Sequence, residues 1–371
     1  MAECIMVGCD LHDKSMLNKM ATDQDRPMVR SWGTGVSARA AMIADLKRRA
    51  VQTGVRRIVF AYEACGFGFR LHDELTAAGI EAHVLAPSRM ERSAKHRRRK
   101  TDERDAQAIL DRVRAYVLAG VPMPSVWVPD LLTRDDRDLV RLRLAVAEDG
   151  SAVQTRIAWL LKRHGIETAP AKARTEAYER WLATLPGSGR LGAGASASLE
   201  SLLRQWRWLQ MECERLDAQV LTLSQTPRWA PVVAALHRHK GVGVLTAMVF
   251  LTELGDLSRF SNRRQVGSFL GLTPSSFETG EGSDRKGHIT RQGPSRVRKV
   301  LCQAVWSRLR SVTSERFAYD RIVAKNPKHK KIAVVARMRA MGVVLWHQGL
   351  AAQEARRAEN AEARRFAAAN A

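Results

Sequence analysis

Short apolar runs cut by polar turns open the chain. Cys4-Ile5-Met6-Val7-Gly8-Cys9 is unbroken and stops at Asp10. A run this short, closed by a charge, predicts a buried strand over 3–9. The spans 15–22 and 27–32 predict two more strands, which complete an antiparallel meander. Ala41, Ile43, Leu46 and Val51 recur at helical spacing and predict a helix over 37–52. Ile58-Val59-Phe60-Ala61-Tyr62 predicts a strand that ends at Glu63. A helix over 68–79 closes on Gly79 as its C-cap, a strand follows over 82–85, and a further helix begins near Asp102. Strands alternating with helices after a meander predict an α/β domain with a mixed sheet.

Gly120, Pro122, Pro124 and Pro129 mark a boundary, and beyond it the pattern turns helical. Leu139, Leu142, Val146, Val153, Ile157 and Leu160 give one apolar face. Residues 187–198, rich in Gly, Ser and Ala, read as a flexible hinge. Leu199, Leu202, Trp206, Leu209, Cys213, Leu216 and Val220 then alternate steps of three and four, a seam of about three heptads. Such a seam fits packing against 136–163 within the chain, and equally a coiled coil between subunits. A compact region begins near Pro231. Its Gly241-Val242-Gly243 turn opens a helix whose free amides suit a phosphate, in the manner of a helix-hairpin-helix that grips nucleic-acid backbone without reading bases. The expected organisation is α/β plus α in four regions, 1–125, 126–228, 229–325 and a basic helical tail over 326–371.

Charge narrows the partners. The 371 residues carry 61 Lys and Arg against 38 Asp and Glu, a formal net charge of +23. That excess implies a polyanion. No segment reaches the roughly 18 apolar residues of a membrane span, and the N-terminus lacks a signal peptide. Nucleic acid is therefore the expected partner, with no membrane, in the cytoplasm and on the nucleoid when bound. Five cysteines, none in a C-x-x-C pair, read as free thiols in a reducing compartment. Basic runs occupy 92–100, 285–310 and 325–331. The expected nucleic-acid contacts are Lys95, Arg97, Arg98, Arg99, Lys100, Gly241, Gly243, Arg285, Lys286, Arg291, Arg296, Arg298 and Lys299.

Against this basic background four acids stand out. Asp10 and Glu63 each close a predicted strand, at the sheet edge where α/β sites form. Asp102 and Asp105 are three apart and share a helix face. A helix start favours acids for purely structural reasons, so neither is diagnostic alone. Four carboxylates brought to one edge would repel strongly unless neutralised. Two Mg²⁺ ions about 4 Å apart, or Mn²⁺ in their place, would neutralise Asp10, Glu63, Asp102 and Asp105 and clamp a phosphodiester.

Gly8-Cys9-Asp10, Tyr62-Glu63-Ala64-Cys65-Gly66 and Lys100-Thr101-Asp102-Glu103-Arg104-Asp105-Ala106 resemble the DEDD motif set of insertion-sequence transposases and the related Piv-type DNA invertases. The resemblance continues in Gly271-Leu272-Thr273-Pro274, Gly280, Ile289-Thr290-Arg291-Gln292-Gly293 and Arg296-Val297-Arg298, and so spans about residues 3–310. It implies a RuvC-like, RNase H-fold N-terminal domain carrying the four acids as catalytic residues. It also implies a C-terminal transposase domain with a serine nucleophile just before a glycine. The ungapped match puts Thr279 at that position. Threonine has the same hydroxyl chemistry on a stiffer, more crowded side chain. A working Thr279, replacement by Ser276 or Ser283, and an impaired chain all stay open. The resemblance further implies a composite site assembled across subunits of a dimer or tetramer, donor and target double-stranded DNA, and a structured non-coding bridge RNA that supplies specificity by base pairing. The expected function is a transposase or site-specific recombinase working through a covalent hydroxyl–DNA intermediate. The alternatives are a metal-dependent nuclease resembling a Holliday-junction resolvase, and a non-catalytic nucleic-acid-binding protein.

Overall fold

A computed structural model describes residues 4–23, 25–89, 101–167, 172–173, 175–277, 285–325 and 327–369. The chain forms two compact units, Met1–Val128 and Pro129–Ala371.

In the first unit, strands β1 (Cys4–Leu11), β2 (Ser15–Thr22) and β3 (Met28–Gly33) form the expected meander. Helix α1 (Val36–Thr53), β4 (Arg57–Glu63), α2 (Phe69–Ala77), β5 (Glu81–Leu85) and α3 (Asp102–Ala119) follow. The sheet order is β3-β2-β1-β4-β5, antiparallel through the meander and parallel from β1 to β5. Period-two alternation gives the sheet two apolar faces. Ile5, Val7, Cys9, Ile58, Phe60 and Tyr62 pack with Met42, Leu46, Leu71 and Leu75 of α1 and α2. Cys4, Met6, Val59 and Ala61 pack with Ile109, Leu110 and Val113 of α3. The result is three layers, helix–sheet–helix. Gly79, at φ 77°, ends α2 as a left-handed cap while the Ile80 amide donates to the Leu75 carbonyl.

The second unit is mainly helical: α4 (Leu131–Arg163), α5 (Glu176–Thr184), α6 (Ala193–Ser224), α7 (Ala230–His237), α8 (Val244–Leu254), α9 (Arg263–Phe269), α10 (Ser295–Ser311), α11 (Thr313–Lys325) and α12 (Lys330–Ala369). Helices α4 and α6 run antiparallel, with Arg143 clamping Asp217 through two hydrogen bonds. The heptad seam is satisfied within the chain. Leu199, Trp206, Leu209 and Leu216 bury against Val146, Val153, Ile157 and Leu160.

Three expectations need correcting. Residues 193–198 are not hinge but the opening turns of α6, because Ala and Ser are compatible with a helix that is held by its apolar face. The region from 330 onward is not only a tail: Ala333, Val334, Met338, Met341, Leu345 and Trp346 belong to the core formed with α7, α8 and α10. The C-terminal region also contains an unexpected antiparallel strand pair, β6 (Pro274–Phe277) with β7 (Arg285–Ile289). Its sequences are too short and polar to show a strand period. Among the described residues no helix is long and apolar enough to cross a membrane.

Candidate functional site

Parallel pairing of β1 with β4 aligns Cys9 with Tyr62, so Asp10 and Glu63 stand at the same level on neighbouring strands. Alternation places both on the face that α3 covers, since Met6 before Asp10 and Val59 and Ala61 before Glu63 pack there. Gly8 lets the helix come close. A Cβ at Gly8 would lie 2.8 Å from the Leu110 Cα and closer still to the Leu110 amide nitrogen and the Ala106 carbonyl oxygen. The first turn of α3, one turn before Ala106, is thereby held at the C-terminal edge of β1. That turn carries Asp102, Glu103 and Asp105, where the helix's positive end favours carboxylates.

Burial raises the Asp10 carboxyl above its usual range, the charges of Asp105 and Asp102 raise it further, and His12 opposes both. Asp10 is 13% exposed at its side chain, Asp102 59%. His12, just beyond β1, was not among the expected site residues. Its Nε2 lies 3.0 Å from Asp10 Oδ2 and 3.6 Å from Asp102 Oδ1. One donor atom each from Asp10, His12 and Asp102 falls within 4.8 Å of the others. The sequence offers the Asp-x-His spacing, which by itself says nothing of Asp102. Two carboxylates and an imidazole with donor atoms this closely spaced fit a divalent cation. A cleft of about 760 Å³ opens beside Asp102, lined by Leu17, Lys19, Thr101, Asp102, Glu103, Arg104 and Gln107. Lys19 Nζ stands 3.9 Å from Glu103 there.

In the second unit the motif glycines join two loops. Gly271 (φ 65°) and Gly293 (φ 105°) sit where the backbones cross. A Cβ at Gly271 would meet the Gln292 amide nitrogen at 2.9 Å, and one at Gly293 the Phe269 carbonyl carbon at 3.0 Å. Arg298 Nη1 donates to the carbonyls of Leu270 (3.1 Å) and Gly293 (3.0 Å), which ties the crossing to α10. Burial, and secondarily Arg291, lowers the Arg298 guanidinium. Arg291 adopts a left-handed φ of 55° and is exposed, as is Arg296. Lys299 is also exposed but pairs with Glu148 at 2.8 Å. This clasp holds the β6–β7 strand pair, with Ser276 opposite Lys286 and Phe277 opposite Arg285. The segment 278–284, with Thr279 and Ser283, lies outside the described residues, as do Lys95, Arg97, Arg98, Arg99 and Lys100. Gly241, at φ 91°, leaves only 2.8 Å between an added Cβ and the Ala304 carbonyl. Gly243 caps α8 without a side-chain hydrogen bond, so the turn presents backbone amides.

Residues 233–320 match the family described as "Transposase IS116/IS110/IS902 family". The chain is 32% identical over 303 residues to the candidate transposase y4qE of Sinorhizobium fredii (strain NBRC 101917 / NGR234), covering 81% of this chain and 71% of that protein. A second candidate transposase of the same strain, y4rJ, is 31% identical over 285 residues, covering 73% and 71%. The transposase for insertion sequence element IS1111A of Coxiella burnetii is 23% identical over 285 residues, covering 76% of this chain and 74% of its own length.

Proposed function

The chain belongs to the IS116/IS110/IS902 transposase family, and from that premise we propose a DNA recombinase that joins its protein covalently to DNA. Transposases of insertion elements cut and rejoin DNA, so DNA is a partner. The finer reading concerns how. The order β3-β2-β1-β4-β5 supports an RNase H-like, RuvC-like first unit. The observation that supports the reading is the β1–β4 register, which continues from Cys9 and Tyr62 to Asp10 and Glu63, together with the close approach of α3 to β1 at Gly8.

Asp10, Glu63, Asp102 and Asp105 would hold Mg²⁺. When bound, the ions supply charge neutralisation at the phosphodiester and stabilise its attacking and leaving oxygens. The Thr279 hydroxyl attacks the phosphorus. A Thr–O–P bond forms, the bond to one DNA oxygen breaks, and that oxygen leaves as a hydroxyl carrying the proton that threonine lost. One phosphodiester replaces another, so attack by a new DNA hydroxyl rejoins the strand without external energy. The crossing at Gly271 and Gly293 and the Arg298 hydrogen bonds hold the paired strands β6 and β7, which flank Thr279 in sequence. Gly241 and Gly243 offer amides to the DNA backbone, and Arg291 and Arg296 offer charge. Target choice by a structured guide RNA, and assembly as a dimer or tetramer, belong to the same proposal.

Denaturing electrophoresis of reactions with element-end DNA tests it. A protein–DNA adduct is expected for the wild type. It should be lost in Thr279→Ala, Asp10→Ala and Asp102→Ala. Cleavage with no adduct would instead indicate a hydrolytic nuclease. An adduct that survives Thr279→Ala but not Ser276→Ala or Ser283→Ala moves the nucleophile.

A further inference from the structure

The candidate cation site gains a nitrogen donor from the geometry. His12 lies in the β1–β2 turn, where its amide donates to the Ser15 carbonyl at 2.9 Å. The turn holds the imidazole over the gap between β1 and α3. Two neighbouring ligands on one octahedral cation, at bond lengths of about 2.1 Å, lie about 3 Å apart. His12 Nε2 lies 3.0 Å from Asp10 Oδ2 and 3.6 Å from Asp102 Oδ1.

We propose that His12 is a direct ligand of the cation held by Asp10 and Asp102, making the site mixed nitrogen–oxygen and selective for Mn²⁺ and other transition ions over Mg²⁺. The inference rests on reading this acid edge as a cation site. The plainer explanation is the hydrogen bond between His12 Nε2 and Asp10 Oδ2, but it involves one carboxylate only, and for a ring that is 45% exposed an added ion pair with the exposed Asp102 contributes no more than about 1 kcal/mol. That gain gives little reason to aim the ring at two carboxylates on separate elements. A cation between them does. Mg²⁺ keeps its oxygen shell and gains little from imidazole, whereas transition ions accept imidazole readily. Selectivity then comes from one side chain in an otherwise all-carboxylate edge.

The test uses the full chain and Mn²⁺ alone. Titration followed by electron paramagnetic resonance gives its affinity, and electron spin echo modulation reads nitrogen bonded to the ion. The wild type should show directly coordinated ¹⁴N. His12→Ala should abolish that signal and weaken Mn²⁺ about tenfold or more, while Mg²⁺ affinity from competition stays within about twofold. Bound Mn²⁺ without coordinated nitrogen overturns the inference. So does an equal loss for both ions, which would make His12 an orienting partner of Asp10. Neither result touches the acid edge as a cation site. Mn²⁺ that fails to bind, or binds equally in Asp10→Asn, overturns that underlying reading as well.

Discussion

Gly8 shows how one residue sets the candidate site. Any side chain there would meet the backbone of α3 at Ala106 and Leu110, and backbone cannot rotate aside. Gly8→Ala is expected to destabilise the fold by about 1–3 kcal/mol through overpacking. It should also weaken Mn²⁺ binding, because α3 must move away from β1 and take Asp102 and Asp105 with it. Thermal unfolding and metal titration check both. Unchanged binding in a destabilised variant would show that the acids do not depend on this close approach. At this scale the sequence was informative wherever a residue ended a pattern. Asp10 and Glu63 were visible because each stops an apolar strand. His12 was not, because its meaning lies in the distance to Asp102 on another element. Arg298 and Lys299 look like any basic pair in sequence. Only the structure shows one tied to two carbonyls and the other to Glu148.

Elements are held by a few buried charges as well as by apolar faces. Glu315 of α11 is 6% exposed and accepts hydrogen bonds from Arg337 of α12 and Arg308 of α10. Burial alone would push its carboxyl up. The two guanidinium partners overcome that and hold it below the usual range. The sign follows directly: a depressed folded pKa contributes stability that is present above the unfolded pKa, near 4.3, and is lost as pH falls through the folded one. Wild-type melting temperature should therefore drop steeply on acidification below about pH 4.5. Glu315→Gln should flatten that dependence and cost about 1–3 kcal/mol at pH 7, a range lowered because both arginines keep some solvent. A variant with the wild-type acid slope would remove Glu315 from the account. Most elements were legible as patterns. The first-unit strands are short apolar runs between turns, and α4 and α6 carry long apolar faces. The β6–β7 strand pair was hidden because Arg285-Lys286-Gly287-His288-Ile289 has no alternation, and its pairing rests on loops crossed at Gly271 and Gly293. The core role of α12 was hidden because its later turns are charged and masked the apolar positions before them.

At the scale of the whole molecule the net charge of +23 decides the mode of binding. Internal ion pairs such as Arg141–Glu253 and Arg143–Asp217 remove one charge of each sign, so they leave the excess untouched. Exposed cations such as Arg291 and Arg296 face solvent or a polyanion. Binding should then be dominated by counterion release, which is independent of sequence. If about 6–10 phosphates are contacted, affinity for duplex DNA should fall roughly 10³- to 10⁵-fold between 50 and 200 mM salt. Neutralising Arg291 and Arg296 together should lower the slope of log affinity against log salt by about two. This also separates affinity from choice of site. Protein stripped of nucleic acid should bind element ends and unrelated duplexes alike, and the RNA recovered from the same preparation should restore preference without steepening the salt slope. Full discrimination by the stripped chain would place base readout in the protein, and the guide-RNA part of the proposal would fall while the cutting and rejoining chemistry stood.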